Sequence, residues 1–213
     1  MSVNGISPAD LGAYPYASRT VVTPKKDGTM RICIDYRNVN AQTAKDFFPC
    51  RESTKTLSRA RYFASLDLLM GFHQVEVNPR KRAKIAFLTH HGLYVYNVMP
   101  FGLCNTPSTF QRLMEKVLGL LIGLGVLVYI DDVLIYAEKP EQLFEILSAV
   151  LKLREKAELK CKASKCSIFT QTINYLGRVV SKDGINFDPA KLDKICQWPK
   201  PKKGIKLISF LGL

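Results

Sequence analysis

Two adjacent aspartates, Asp131 and Asp132, interrupt the apolar run VLVYIDDVLIY at 126–136. β-Branched and aromatic residues fill most of its flanks, so the run reads as two short strands with the acids at the bend between them. Two unit charges at about 4 Å repel by roughly 4 kcal/mol near a protein surface, where the effective dielectric is ~20. Asp favours turns, and an ordinary polar hairpin turn is one reading of the pair. The other reading is a site for a divalent cation. A hard ion such as Mg²⁺ binds carboxylate oxygens and reverses the sign of the repulsion. Either way, this part of the chain is committed to a sheet.

The 213 residues are enough for one large domain or two small ones with a real core. Net charge is +13, which favours a polyanionic partner. Its distribution says more than its total. Residues 1–62 carry 10 basic and 5 acidic side chains, 63–150 carry 7 and 8, and 151–213 carry 14 and 5. Basic flanks around a slightly acidic centre suit a protein that holds phosphates outside and metal ions inside; a basic surface kept for solubility is the plainer account. No membrane role is expected: the uncharged run 117–130 has 14 residues and three glycines, where a spanning helix needs about 20. The N-terminus lacks the basic and apolar regions of a signal peptide, so an intracellular, non-secreted protein is expected. Six dispersed cysteines without a C-x-x-C pair read as free thiols in a reducing compartment.

Along the chain, 21–35 reads as a β-hairpin turning at Asp27-Gly28. Residues 62–67 read as a strand that puts Phe63, Ser65 and Asp67 on one face, and Gly71 interrupts soon after. Two further strands flank His90, His91 and Gly92, the second over 93–98. Thr106 as N-cap and Pro107 at the first helical position start a helix. Its apolar face runs through Phe110, Leu113, Met114, Val117, Leu118 and Leu121. A second helix from Pro140 should bury Leu143, Phe144, Leu147, Val150 and Leu151. A hairpin turning at Asp183-Gly184 and a helix capped by Asp188-Pro189 follow. This order gives an α+β reading, with an antiparallel sheet carrying acids and backed by helices. Asp67 and the Asp131-Asp132 pair are separated by enough chain to meet at one sheet edge.

Five stretches in order then resemble a known family: KKDGTMRICIDYR at 25–37, FASLDLLMGFHQ at 63–74, MPFGLCNTPSTFQ at 99–111, YIDD at 129–132 and YLG at 175–177. Together they are similar to the polymerase domain of reverse transcriptases, specifically the gypsy-type LTR retrotransposon group and its pararetroviral relatives. The resemblance covers about residues 15–213. Three positions depart from it: Thr106 where Ala is usual, Glu158 where Gly is common, and Leu69-Met70 where a polar or small pair is usual.

The resemblance implies a right-hand polymerase fold of fingers and palm, with the palm sheet antiparallel and backed by helices. Residues 1–62 would form a partial fingers region. Residues 63–177 would form the palm with inserted fingers elements, the reverse transcriptase domain running over about 15–181. Residues 178–213 would begin a thumb, expected to be incomplete here. The implied reaction is transfer of deoxynucleotides from their triphosphates to a primer on an RNA or DNA template, with two Mg²⁺ ions or Mn²⁺ as substitute. Asp67, Asp131, Asp132 and the Leu68 carbonyl would hold the ions. Lys165 aligns with a lysine that protonates the departing pyrophosphate, although it also fits a basic patch with Lys160 and Lys162. Lys26 and Arg31 would grip the triphosphate, or form a solvated basic hairpin. Phe72 would exclude a ribose 2′-hydroxyl, or pack as a core aromatic. Phe101 and Gly102 would line the pocket of the nascent base pair. Gln111 would reach the template or lie on a helix surface. Tyr175, Leu176 and Gly177 would grip the primer end, or form an ordinary hairpin corner. His73 is expected to pack or hydrogen-bond locally. Relatives of this kind encode protease, ribonuclease H and integrase beside the polymerase, and nothing in this chain resembles those. Two other readings stay open: a catalytically weak nucleic-acid-binding remnant, and an RNA-directed RNA polymerase, against which the bulky Phe72 and the 101–111 segment argue.

Overall fold

In the computed structural model, residues 5–10, 14–24, 28, 30–49, 57, 59–189 and 192–193 are described, Arg31 by its backbone alone. The chain opens with β1 (Ile6–Pro8), then the long hairpin of β2 (Ser18–Pro24) and β3 (Met30–Asp35), whose last pair is Pro24 with Met30. Gly28 has φ +78° in that connection, a conformation natural to glycine in a tight turn. A single helical turn α1 (Arg37–Ala41) leads to β4 (Tyr62–Asp67). Next come α2 (Pro79–Arg82), β5 (Phe87–Thr89) and β6 (Gly92–Tyr96). The long helix α3 (Thr106–Leu118) precedes the Asp-Asp hairpin, β7 (Val126–Tyr129) and β8 (Asp132–Ala137). The longest helix among the described residues, α4 (Pro140–Lys156), is followed by β9 (Ser167–Thr170), β10 (Thr172–Tyr175), β11 (Arg178–Ser181) and β12 (Gly184–Phe187).

These strands form three sheets. The first has the order β1-β6-β5-β2-β3, with β2 and β5 parallel and the other neighbours antiparallel. The central sheet, β7-β8-β4-β9, is antiparallel throughout, as expected. The third, β10-β11-β12, straddles residue 177, so the expected domain boundary falls in its first turn.

Strand alternation explains why 126–136 is apolar at almost every position. Val126, Val128, Val133, Ile135 and Ala137 face α3 and α4, together with Ala64, Leu66 and Leu68 of the β4 region. Leu127, Leu134, Tyr136 and Phe63 face the other way, against Ile173, Tyr175 and Val180 of the third sheet. A sheet covered on both sides needs apolar residues at odd and even positions alike. The helical cover was expected; the second cover, a sheet, was not.

Three local expectations are corrected. The N-cap of α3 is Asn105, not Thr106, whose hydroxyl instead donates to the Pro100 carbonyl. Phe144 is exposed, because α4 buries the narrow stripe Leu143, Leu147 and Val150. The second strand of the 87–96 hairpin ends at Tyr96 rather than Val98. The expected helix after Asp188 lies mostly outside the described residues. Among the described residues, no helix is long and apolar enough to cross a membrane.

Candidate active site

The register of the central sheet brings the acids together. Asp67 ends β4 and pairs across the strands with Asp132, the first residue of β8. Directly opposed residues of antiparallel strands have Cβ atoms about 4.5–5.5 Å apart. Asp132 also pairs with Tyr129 of β7, which leaves Ile130 and Asp131 as a two-residue loop. Asp131 packs against the exit from β4: a Cβ built on Gly71 would lie 3.3 Å from the Asp131 Cβ and 3.0 Å from the Phe110 ring. The three acids therefore meet at one edge.

Ile130 has φ +57°. That is an outlier for a β-branched residue, with a cost of order 1–3 kcal/mol. Strain thus sits one residue from Asp131.

Lys165 supplies the local counter-charge, with Nζ 3.0 Å from Asp67 Oδ2. Its position is fixed by backbone: the Lys162 N–H donates to the Asp67 carbonyl at 2.9 Å, and the Lys165 N–H donates to Lys162. The Asp132 carboxyl is raised above the ordinary range, first by desolvation, then by the charges of Asp131 and Asp67, with Lys165 opposing. Asp132 still reaches solvent, so its neighbours desolvate it only in part. Among the described residues, no three His, Cys, Asp or Glu side chains stand close enough together to hold a metal ion as they are placed here. The fit to a hard cation lies in the chemistry. The side-chain donors are carboxylate oxygens, and a divalent cation would relieve the repulsion from Asp131 and Asp67 that adds to desolvation in raising Asp132. Leu68 follows Asp67 with its side chain buried in the core.

A cavity of about 160 Å³ is lined by Asp67, Asp132, Lys165, Asn174, Tyr175 and Leu176. The structure thus brings Tyr175 and Leu176 to the acids. Tyr175 is buried at the end of β10, and the turn after it runs through Leu176 at φ +49° and Gly177 at φ +73°.

Phe72 lies in a 3₁₀ turn after Gly71, its ring 5.0 Å from that of Phe101 and 5.4 Å from that of Phe110. Phe101 is 56% exposed and so offers an open apolar face beside Phe72. Gly102 has φ +94°, and its carbonyl accepts from Asn40 Nδ2 at 2.8 Å. Asn40 also accepts from the Cys104 N–H, so one side chain braces the 102–104 turn. His73 packs between Tyr96 and Phe101, and burial pushes its pKa down.

Gln111 departs from both of its expected places. It is 1% exposed, neither at the surface nor free to reach a template. Its Oε1 accepts from the Ile130 N–H at 2.7 Å, and its Nε2 donates to the Val128 carbonyl and to Glu115. Lys26 and the Arg31 side chain lie outside the described residues. Sequence reasoning passed over Asn40 and Gln74. Gln74 donates to the Leu69 and Lys160 carbonyls and accepts from the Lys160 N–H at 2.6 Å, tying the exit from β4 to the segment that carries Lys165. A lone amide in a helical turn gave no periodic signal for either.

Residues 23–180 match the family described as reverse transcriptase (RNA-dependent DNA polymerase). The chain belongs to this family. It is 38% identical over 207 residues to the retrovirus-related Pol polyprotein from transposon 297 of Drosophila melanogaster, and 36% identical over 208 residues to that from transposon gypsy. Each alignment covers 93% of this chain and 20% of the relative, so the chain spans about a fifth of the length of these polyproteins. Among solved structures, the foamy viral protease-reverse transcriptase in complex with double-stranded DNA superposes with a TM-score of 0.86. It is 24% identical, with 98% of this chain and 37% of that chain covered. The same protein with an RNA/DNA hybrid gives a TM-score of 0.79 at 25% identity, covering 92% and 27%. The likeness supports an α+β polymerase fold for this reverse transcriptase chain.

Proposed function

We propose that the chain carries the polymerising centre of an RNA-directed DNA polymerase, extending a primer on an RNA or DNA template with deoxynucleoside triphosphates. One observation carries the reading: Asp67 and Asp132 pair across the central sheet with Asp131 in the adjoining turn, in a chain of the reverse transcriptase family. The double-stranded DNA and RNA/DNA hybrid held by the foamy viral neighbours support a primer–template as ligand. The relatives are Pol polyproteins, so protease, ribonuclease H and integrase domains are proposed partners. Templates and nucleotides are intracellular, which places the proposed activity inside the cell.

Asp67, Asp131, Asp132 and the Leu68 carbonyl would hold two divalent cations, Mg²⁺ or Mn²⁺. Bound there, such ions supply charge neutralisation at the attacking and leaving oxygens. The protein's own part is positioning, which phosphoryl transfer requires more than covalent chemistry. The primer 3′-hydroxyl gives up its proton to water as its oxygen bonds to the α-phosphorus, while the bond from the α-phosphorus to the bridging oxygen breaks and pyrophosphate leaves. Lys165 holds a proton at Nζ beside Asp67, and from there it serves the departing pyrophosphate. Tyr175 and Leu176 line the approach to the acids and, with Gly177, hold the primer end. Phe101 and Gly102 form one wall for the nascent base pair, with Phe72 against the sugar. Lys26 and Arg31 take the triphosphate.

Primer extension on a homopolymer RNA, with deoxynucleotides and ribonucleotides supplied separately, tests the reading. Deoxynucleotide addition is expected, abolished by a chelator, restored by Mg²⁺ or Mn²⁺, and lost in Asp67→Asn and Asp131→Asn. Primer–template binding without extension would favour the non-catalytic remnant. Efficient ribonucleotide use would mark an RNA polymerase.

A further inference from the structure

We propose that Gln111 is a positioning residue: its buried amide clamps the Ile130–Asp131 turn in its left-handed conformation and so sets Asp131 beside Asp67 and Asp132. The proposal rests on reading these acids as the polymerising centre. Gln111 sits on the buried face of α3, between Phe110 and Met114 in the helical stripe that packs on the central sheet. A polar side chain that is 1% exposed must find partners. It finds them on both sides of Tyr129, donating to the Val128 carbonyl and accepting from the Ile130 N–H. Glu115, one turn further along α3, accepts from the same Nε2. Two acceptors on one side and one donor on the other fix which end of the amide is oxygen.

The bond at 2.7 Å therefore falls on the one residue of the hairpin loop with a positive φ. Ile130 gains nothing intrinsic from φ +57°; left alone, a β-branched residue returns to negative φ. That change would turn the peptide joining Ile130 to Asp131 and carry the Asp131 side chain away from its contact with Gly71. The opposite wall is built by the neighbouring residue of α3. The Phe110 ring abuts Gly71, whose lack of a side chain leaves room for Asp131. Consecutive residues of one helix thus close on the turn from two directions: Gln111 by hydrogen bonds to its backbone, Phe110 by way of Gly71.

Four variants test the clamp: Gln111→Met, similar in size but without an acceptor; Gln111→Glu, which keeps an acceptor for Ile130; Ile130→Gly, which removes the conformational strain; and Gln111→Met with Ile130→Gly. Thermal melting reports folding, amide exchange at Ile130 reports the hydrogen bond, and Mn²⁺ affinity in the absence of nucleotides reports the acids. Gln111→Met is expected to exchange the Ile130 amide at least about tenfold faster through local opening. It should also bind Mn²⁺ roughly tenfold more weakly, the usual scale for losing a group that orients a ligand. Adding Ile130→Gly should recover most of that affinity, which a packing defect would not permit, and Gln111→Glu should keep the Ile130 amide protected. A folded Gln111→Met chain with wild-type Mn²⁺ affinity overturns the proposal. If Gln111→Met does not fold, fast Ile130 exchange in Gln111→Glu overturns it instead. A wild-type chain that binds no Mn²⁺ would count against the polymerising centre, while exchange at Ile130 would still decide for or against the clamp.

Discussion

Phe72 offers the sharpest test at the scale of one residue. Its ring is wedged between Phe101 and Phe110. On the proposed reading Phe72 stands against the sugar, so Phe72→Ala, which removes no carboxylate, should raise ribonucleotide incorporation relative to deoxynucleotide incorporation. The ratio of the two kcat/KM values measures this, because discrimination is a difference in transition-state binding. Stability should fall by less than the roughly 3–5 kcal/mol of a fully buried aromatic, since Phe72 is only half-buried, and the ratio cancels the common loss. An unchanged ratio in an active variant would reduce Phe72 to packing. Asp132 makes a prediction of opposite sign for stability and function. Its folded pKa lies above the ordinary carboxylate value, so the folded chain holds more protons than the unfolded one in the window between the two. Stability contributed by the protonated form is therefore present below that window and lost as pH rises through it. Asp132→Asn should melt higher than wild type at pH 7, lose that advantage on acidification, and extend no primer. Equal melting temperatures at pH 7 would show that the repulsion is not felt. The acids were legible because charge inside an apolar run has few structural excuses. Gln111 carried a comparable signal that is clear in hindsight: residues 110, 111, 114 and 118 share one helical face, so the amide was a polar interruption in a buried stripe. Its role was not legible, because the Ile130 amide it holds belongs to another element.

At the scale of elements, the sequence predicts β4, the two helices and the Asp-Asp hairpin closely, because each is set by local periodicity and by punctuation such as Pro107 and Pro140. What it missed depends on partners far along the chain. Phe144 continues an apolar pattern, yet only the stripe through Leu143, Leu147 and Val150 meets the sheet. The third sheet covers the second face of the central one across more than a hundred residues of sequence from Phe63, and no local pattern announces that. The departures from the family also take on meaning here. Met70 and Glu158, two of the unusual positions, both have positive φ. Glu158 follows the end of α4, where its N–H donates to Glu155 and the Leu159 N–H donates to Arg154. That is the Schellman pattern, whose left-handed position usually belongs to Gly. A glycine is common there because the backbone requires it, and this chain bears the strain of Glu instead. Glu158→Gly should stabilise the protein by about 1 kcal/mol, seen as a rise in Tm of roughly 2–4 °C. No change, or a loss, would mean that the Glu158 side chain contributes as much as its backbone costs.

The whole molecule is a distribution of charge around one acidic edge. Among the described residues, ion pairs engage three basic side chains, Arg37, Arg112 and Lys165. Lys165 faces Asp67 at the centre, while Arg80, Lys81 and Lys84 stand exposed in and just after α2. Such an arrangement repels itself, and a polyanion that lies across it relieves the repulsion. It also displaces the counterions condensed on its own phosphates. Counterion release makes the binding constant fall with salt as a power law whose exponent counts the phosphates neutralised. If about six phosphates are contacted, affinity for a primer–template should drop on the order of 10³-fold between roughly 50 and 200 mM salt. Asp132→Asn should leave that slope unchanged, because it alters the centre and not the basic surround, even though it stops extension. This separates binding from chemistry on one protein. An affinity that stays flat over the same range would mean that the +13 charge serves solubility, and that primer and template are held by something other than this surface.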